Sequence, residues 1–439
     1  MGTEKIEPRV LKGFRDFLPD VELERKRIET VLVGVFENFG FVPIDTPALE
    51  YTEVLLGKGG GETDKQIYRF LDHGERDVAM RFDLTVPFAR YMAAHRHDLY
   101  TPFKRYHISK VWRGENTQRG RFREFTQCDF DIVGVDSPSA DFEILMVMHD
   151  TMRALGISDF TIRFSNREVF NRFLNHLGIT EKSAEILRTV DKLAKIGRDK
   201  TQTLLEQSVT PDQAVKILDF IDPEESFEET LGKMGGLAGG PGEDTERLRT
   251  TWTYVAECGI EGKFFLDPSI TRGLDYYTGI VFETFLDEIP DIGSVCSGGR
   301  YNDLASLYTK DHLPGVGASI GLDRLMTALE TLGRLFTSAA AADLLILCLQ
   351  EELYPHYHRL AGRFRESGIS CEVYPEKKKL GNQFQFAEKK GIRFGLICGG
   401  DEFDRGTVTV KNLLTRESFE DLSFEEAVSR IHALDKGSP

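Results

Sequence analysis

The stretch REFTQCDFDIVG, residues 123–134, constrains the fold more than any other part of the chain. Gln127, Asp129 and Asp131 stand two residues apart, so on a strand all three side chains point to one face. Two carboxylates and an amide on a buried face are costly unless they hold a cation or a donor-rich ligand. The chain must therefore close a polar cavity over this strand, or leave the strand as the solvated face of a sheet edge. The residues just before it carry the opposite charge. From Lys104 to Arg123 seven cations (Lys104, Arg105, Lys110, Arg113, Arg119, Arg121, Arg123) stand against one acid, Glu115, a local +6 in a chain of net charge −16. The overall charge disfavours indiscriminate nucleic-acid binding, whereas the local patch suits a nucleotide or RNA, or else a solvated hairpin.

The 439 residues exceed one ordinary core, and two or three domains are expected. Strand-like runs recur at FKRYHISKVWR, REFTQCDFDIVG and IVFETF, with periodic helices at ADFEILMVMHDTMRALG and IGLDRLMTALETLG, a pattern that predicts an antiparallel sheet flanked by helices. A helix capped by Asp20 and ended by Gly40 leads into FVPIDTPALE, whose prolines suit an edge strand or an interface. Residues 168–259 read as a helical insertion with a flexible glycine-rich loop, LGKMGGLAGGPGED. The flanking segments, 1–167 and 260–333, form the two parts of the main domain. A small-residue link at 334–342 precedes an alternating α/β domain over 343–439. No apolar run reaches membrane-spanning length and MGTEKIEPRV lacks a signal-peptide core, so the expected compartment is the cytoplasm. The six cysteines form no C-x-x-C and are expected as reduced, structural thiols. The histidines show no metal-ligand spacing.

Three further groups carry chemistry. RFDLTVPFAR sets Asp83 and Thr85 two apart, a binding pair or a turn cap. PGVGASIGLDRL places glycines at a strand-to-helix passage with Arg324 early in the helix, which suits close approach to a ring or a phosphate, or simple packing. RGLDYYTG brings Arg272, Tyr276 and Tyr277 together ahead of an apolar strand, as a site or as core aromatics.

In combination and order, LKGFRDFLPD, ENFGFVPIDTPALE, KVWRGENTQRGRFREF, RGLDYYTGIVFE, SGGRYNDL and GVGASIGLDRL resemble the histidyl-tRNA synthetase family, class II aminoacyl-tRNA synthetases, along nearly the whole chain. The resemblance implies a six-stranded antiparallel catalytic sheet, an insertion that contacts the tRNA acceptor end, a C-terminal anticodon-binding domain, and a homodimer with ENFGFVPIDTPALE near its interface. Substrates would be L-histidine, ATP with Mg2+ held mainly by its phosphates rather than by a dedicated protein site, and tRNA(His). By the same resemblance Arg272 and Arg113 act at the α-phosphate as catalytic groups beside the histidine, Arg324 grips the γ-phosphate, and Glu115 positions ATP. Asp83, Thr85 and Gln127 would take the histidine ammonium, Asp131 with Tyr276 the imidazole, and Tyr277 would line the pocket. Some members carry Glu at the positions of Asp83 and Asp131, and Asn302-Asp303 replaces a commoner Asp-Gly. The main alternative is a histidine-binding regulatory subunit of ATP phosphoribosyltransferase, which resembles the catalytic domain but usually lacks the C-terminal one. A structural RNA-binding protein is the third reading. Lys377, Lys378 and Lys379, followed by Gly381-Asn-Gln, face an anticodon stem by resemblance, or form a solvated turn.

Overall fold

The computed structural model describes residues 5–57, 66–270, 276–335 and 340–435. The chain divides into two compact units, one of Met1–Asp16 and Arg27–Arg334, the other of Phe17–Lys26 and Leu335–Pro439.

In the first unit the strands are β1 (Val42–Pro43), β2 (Leu49–Tyr51), β3 (Arg69–Leu71), β4 (Asp77–Met80), β5 (Phe103–Trp112), β6 (Glu124–Val133), β7 (Phe160–Asn166), β8 (Phe264–Leu266), β9 (Ile280–Leu286), β10 (Cys296–Arg300) and β11 (Gly315–Gly321). Eight of them make one sheet in the order β1-β5-β6-β11-β10-β9-β7-β8, while β2, β4 and β3 form a small sheet of their own. The six central strands pair antiparallel throughout. The expected sheet of six is enlarged at both edges by a short parallel strand, β1 on β5 and β8 on β7. Pro43, which has no N–H to donate, sits on such an edge.

The hairpin β5–β6 runs ten residues in unbroken register, from Phe103 opposite Val133 to Trp112 opposite Glu124. It therefore sets Arg105 opposite Asp131, His107 opposite Asp129 and Ser109 opposite Gln127. The other face of β6 is apolar: the Phe130 ring lies 5.0 Å from Phe36 of the long N-terminal helix and 6.2 Å from Phe41. A second helix, Pro138–Ala154, starts at Ser137, whose hydroxyl accepts from the Ala140 N–H, with Pro138 in the first turn. Its Ile144, Leu145, Met148 and Met152 are buried.

The helical stretch after β7 has its own aromatic centre, with Phe173 and Phe220 stacked at 4.4 Å. Here the glycine-rich segment is mostly helix and not loop. A capping box at Ser226 and Glu229 starts a helix, Phe227–Leu237, that continues through Gly232, Gly235 and Gly236. The following helix, Glu243–Glu257, is bolted down by charge. Arg247 Nε donates to Asp141 Oδ2 at 2.5 Å, while Arg300 at the end of β10 donates to Asp141 Oδ1 at 2.9 and 2.7 Å. Asp141 is fully buried, and Arg247 also pairs with Asp136 at 2.7 Å.

The second unit has β12 (Leu344–Ile346), β13 (Cys371–Val373), β14 (Phe394–Ile397), β15 (Val408–Asn412) and β16 (Ser418–Leu422), in the order β13-β12-β14-β15-β16. β13, β12 and β14 are parallel, and the last two strands pair antiparallel. Leu344, Ile346, Tyr357, Phe364 and Leu396 form its centre. Gln383, expected with its neighbours to face an RNA, turns inward instead: it accepts from the Cys348 N–H and donates to the Cys348 carbonyl, both at 2.8 Å. Lys378 pairs with Glu376. All six cysteines are free thiols, five of them buried. Among the described residues no helix is long and apolar enough to cross a membrane.

Candidate active site

A cavity of about 600 Å³ opens over the polar face of β6. Thr85, Arg113, Glu115, Gln127, Tyr276, Tyr277 and Arg324 all line it. Asp83 and Asp131 lie just behind this lining and are buried. Arg272 lies outside the described residues.

One end of the cavity is cationic. Arg113 follows β5, and its Nε donates to the Phe82 carbonyl at 2.8 Å while its guanidinium sits 5.1 Å above the Phe125 ring. Arg324, in the first turn of helix Leu322–Thr331, donates to the Ser294 carbonyl at 2.6 Å. Burial, with Arg121 and Arg113 adding like charge, pushes its guanidinium down to about 10, so it remains charged at neutral pH. Glu115 stands among these cations, 3.7 Å from Arg121 and 4.0 Å from Arg113. Guanidinium groups held this close favour an anion between them.

The local +6 is smaller in space than in sequence. Arg105 is buried on Asp131, Lys104 pairs with Glu143, and Lys110 pairs with Glu124 at 2.7 Å. The remaining arginines belong to the loop between β5 and β6. That loop is itself strapped by the N-terminal segment, since the Arg123 N–H donates to the Gly13 carbonyl at 2.8 Å and Arg15 stacks 3.9 Å over Phe122 while pairing with Asp323 at 2.5 Å.

The other end is acidic and buried. Asp83 Oδ1 accepts from the Val86 N–H at 3.1 Å, inside the first turn of helix Thr85–His95, and Oδ2 accepts from the Tyr276 hydroxyl at 3.1 Å. Asp83 thus caps the turn through one oxygen while the other meets Tyr276. Gln127 Nε2 donates to Ser319 Oγ at 2.8 Å, while its Oε1 has no partner among the described residues, nor has Asp129 Oδ1. Asp131 Oδ1 accepts from the Tyr301 hydroxyl at 2.5 Å, and Oδ2 lies 2.7 Å from the Arg105 guanidinium. Buried acceptors without donors fit a ligand that brings N–H groups of its own.

The tyrosine hydroxyls are divided between two acids. Tyr276 bonds to Asp83, and Tyr301 takes the place beside Asp131. Gly315 makes this possible: a Cβ there would stand 2.4 Å from the Tyr301 ring, so the missing side chain lets the ring lie across β11 and reach β6. Tyr277 packs edge-on against Tyr276 at 5.0 Å and completes the aromatic wall. Tyr301 and Ser319 were not among the expected site residues, although SGGRY and GVGASIG contain them; their roles depend on β10–β11–β6 register.

Burial, opposed by Arg105 and reinforced by Asp131, pushes the Asp129 carboxyl up to about 7 from an ordinary 3.8. The folded state therefore prefers the protonated acid, and the cost of ionising it grows as pH rises from about 3.8 to about 7 and is constant above. Asp129→Asn should consequently melt several degrees higher than the parent at pH 8 and lose that advantage below about pH 4. Thermal melts across this range check it, and a pH-independent difference would contradict the assignment.

Comparison with known proteins is specific. A profile of the histidyl-tRNA synthetase family matches residues 13–325, and one of an anticodon-binding domain matches residues 343–434. The chain is 53% identical to a histidine–tRNA ligase of Treponema denticola over 98% of its own length and 99% of that protein. It is 48% identical to a histidine–tRNA ligase of Rhodopirellula baltica over 94% of this chain and 95% of the relative. The crystal structure of a histidyl-tRNA synthetase from Nostoc sp. PCC 7120 superposes with a TM-score of 0.86 at 35% identity, covering 98% of this chain and all of the other. A cationic pocket beside an acidic one on an antiparallel sheet, together with matches along nearly the entire length, places this chain in the histidyl-tRNA synthetase family.

Proposed function

We propose that the chain is an enzyme that activates L-histidine with ATP and transfers it to the 3' end of tRNA(His). One observation carries the residue-level reading: a single cavity joins a buried acidic end, suited to an ammonium and a ring N–H, to an arginine end suited to phosphates. A zwitterion bound at the first end directs its carboxylate toward the second. There the carboxylate oxygen attacks the α-phosphorus, and the bond to pyrophosphate breaks. Asp83, Thr85 and Gln127 take the ammonium, and Asp131 with Tyr301 takes the imidazole, while Tyr276 fixes Asp83 and Tyr277 lines the ring. Arg113 and Arg272 hold the α-phosphate, Glu115 positions ATP, and Arg324 grips the γ-phosphate. Mg2+ supplies charge neutralisation at the outer phosphates. The acids lining the cavity, Glu115, Asp191, Glu283 and Asp323, are outnumbered by its cations, which fits a metal carried in by the nucleotide.

The segments 1–167 and 260–333 serve as catalytic domain, 168–259 as an insertion that meets the acceptor end, 334–342 as linker and 343–439 as anticodon-binding domain. Lys377 and Lys379 are the cations of that domain's turn that face RNA in this reading. The working form is a homodimer, with residues 37–50 near its interface.

With twenty amino acids tested singly, ATP and pyrophosphate should exchange label only with histidine, because an apolar side chain would strand buried polar groups. Asp131→Asn should raise the histidine KM about 10- to 100-fold, the effect of weakening a charged hydrogen bond worth roughly 1.5–3 kcal/mol. A regulatory subunit would bind histidine without exchange, so one assay separates the two readings. The anticodon-binding match over residues 343–434 favours the enzyme.

A further inference from the structure

We propose that Arg105 is a positioning residue for the histidine pocket: from behind the cavity wall it keeps Asp131 a carboxylate aimed at the substrate ring, a task made necessary by the second acid, Asp129. The inference rests on Asp131 as the reader of the imidazole. Arg105 is wholly buried, its guanidinium 2.7 Å from Asp131 and 4.2 Å over the Phe88 ring. Its Nε and Nη1 have no hydrogen-bond partner among the described residues. A buried guanidinium so poorly supplied with acceptors is a weak way to stabilise a fold, since an apolar side chain of similar volume does as well or better. Its value is electrostatic.

Two aspartates two residues apart on one buried face are costly to ionise together beside a single cation. Arg105 and the Tyr301 hydroxyl are both on Asp131, whereas Asp129 faces Ser319 and has an oxygen without a donor among the described residues. Burial raises both carboxyls, but Arg105 and Tyr301 oppose it at Asp131, so the negative charge settles there first and the proton on Asp129. The surroundings do not reverse this. From β5, His107 is held neutral by burial with its pKa near 3, while Arg81 follows β4 and bonds outward to Thr46 and Ser109. Asp83, Tyr276 and Tyr277 approach from the cavity side and Cys296 from β10, and burial keeps all four protonated more readily than usual. Arg113 contributes positive charge near Asp83.

The test is the pH profile of kcat/KM for histidine in ATP–pyrophosphate exchange. Free histidine titrates identically in every assay, so differences between profiles report the protein. Arg105→Met should lower kcat/KM about 100-fold at pH 7, chiefly through KM, with recovery as pH rises, because Asp131 then takes up a proton that only alkali removes. Arg105→Lys should restore most of the loss. Asp129→Asn alone should leave the acid limb in place, because Asp129 is already protonated where Asp131 titrates, and combining it with Arg105→Met should recover part of the activity. A loss that is independent of pH and affects histidine and ATP alike would overturn the proposal. If Arg105→Met does not fold, an acid limb shifted to lower pH in Asp129→Asn overturns it instead, since Asp129 would then be charged where Asp131 titrates. Asp131→Asn distinguishes the two levels: no effect of that change sinks the pocket reading itself, whereas a large effect with a parental profile in Arg105→Met sinks only the role of Arg105.

Discussion

Arg113→Ala is expected to slow histidyl-adenylate formation by about 10²- to 10³-fold in single turnover, with a smaller change in histidine affinity. The expectation follows from how the guanidinium is held. The Phe82 carbonyl fixes Nε, Phe125 lies beneath the plane, and the outer nitrogens face the cavity close to Glu115. A donor fixed before the reaction loses nothing by reorienting when negative charge develops on phosphorus-bound oxygens. Arg113→Lys should restore little, because an ammonium can neither keep the Phe82 contact nor offer a planar fork. A near-parental rate in the alanine variant would remove Arg113 from the chemistry.

The second large effect comes from a position with no functional group. Gly317 on β11 pairs with Asp131 on β6, and a Cβ there would lie 1.9 Å from Asp131 Oδ1 and 2.8 Å from the Phe130 carbonyl oxygen. One of these contacts is backbone, so the strands must separate or the carboxylate must leave Tyr301 and Arg105. Gly317→Ala should therefore raise the histidine KM by at least about 30-fold, losing most of a charged hydrogen bond, and destabilise the fold by roughly 1–3 kcal/mol through overpacking. The KM for ATP should move much less. Gly321→Ala serves as the stability control, since its added carbon meets Arg324 Cβ at an ordinary 3.8 Å. Equal melting temperatures for the two variants, or an unchanged histidine KM in the first, would show that the crowding is relieved elsewhere.

These two positions also show what a sequence can and cannot disclose. The alternation through Gln127, Asp129 and Asp131 was legible because a strand's period of two leaves no other arrangement. Of the two short parallel edge strands, β1 was legible through the prolines of FVPIDTPALE, whereas β8 was not, for the three residues Phe264–Leu266 carry no period at all. Arg105 was visible only as one cation in a basic run, since counting charges ignores which face of β5 each occupies. Tyr301 belongs to the motif SGGRY, yet its reach to Asp131 depends on β11 lying between their two strands and on Gly315 having no side chain. Gln383 looked like part of a polar surface turn and proved to be a buried staple on Cys348.

The Asp141 junction bears on how freely this protein can be rebuilt. Its carboxylate is shared between Arg300, from the central sheet, and Arg247, from the helical segment between β7 and β8. A chimera that exchanged this segment for one from another protein, matching only its end points, would leave one oxygen of a solvent-free acid without its guanidinium. Grafts that carry an arginine at the position of Arg247 should be tolerated, and those that omit it should be soluble only when Asp141 is replaced as well.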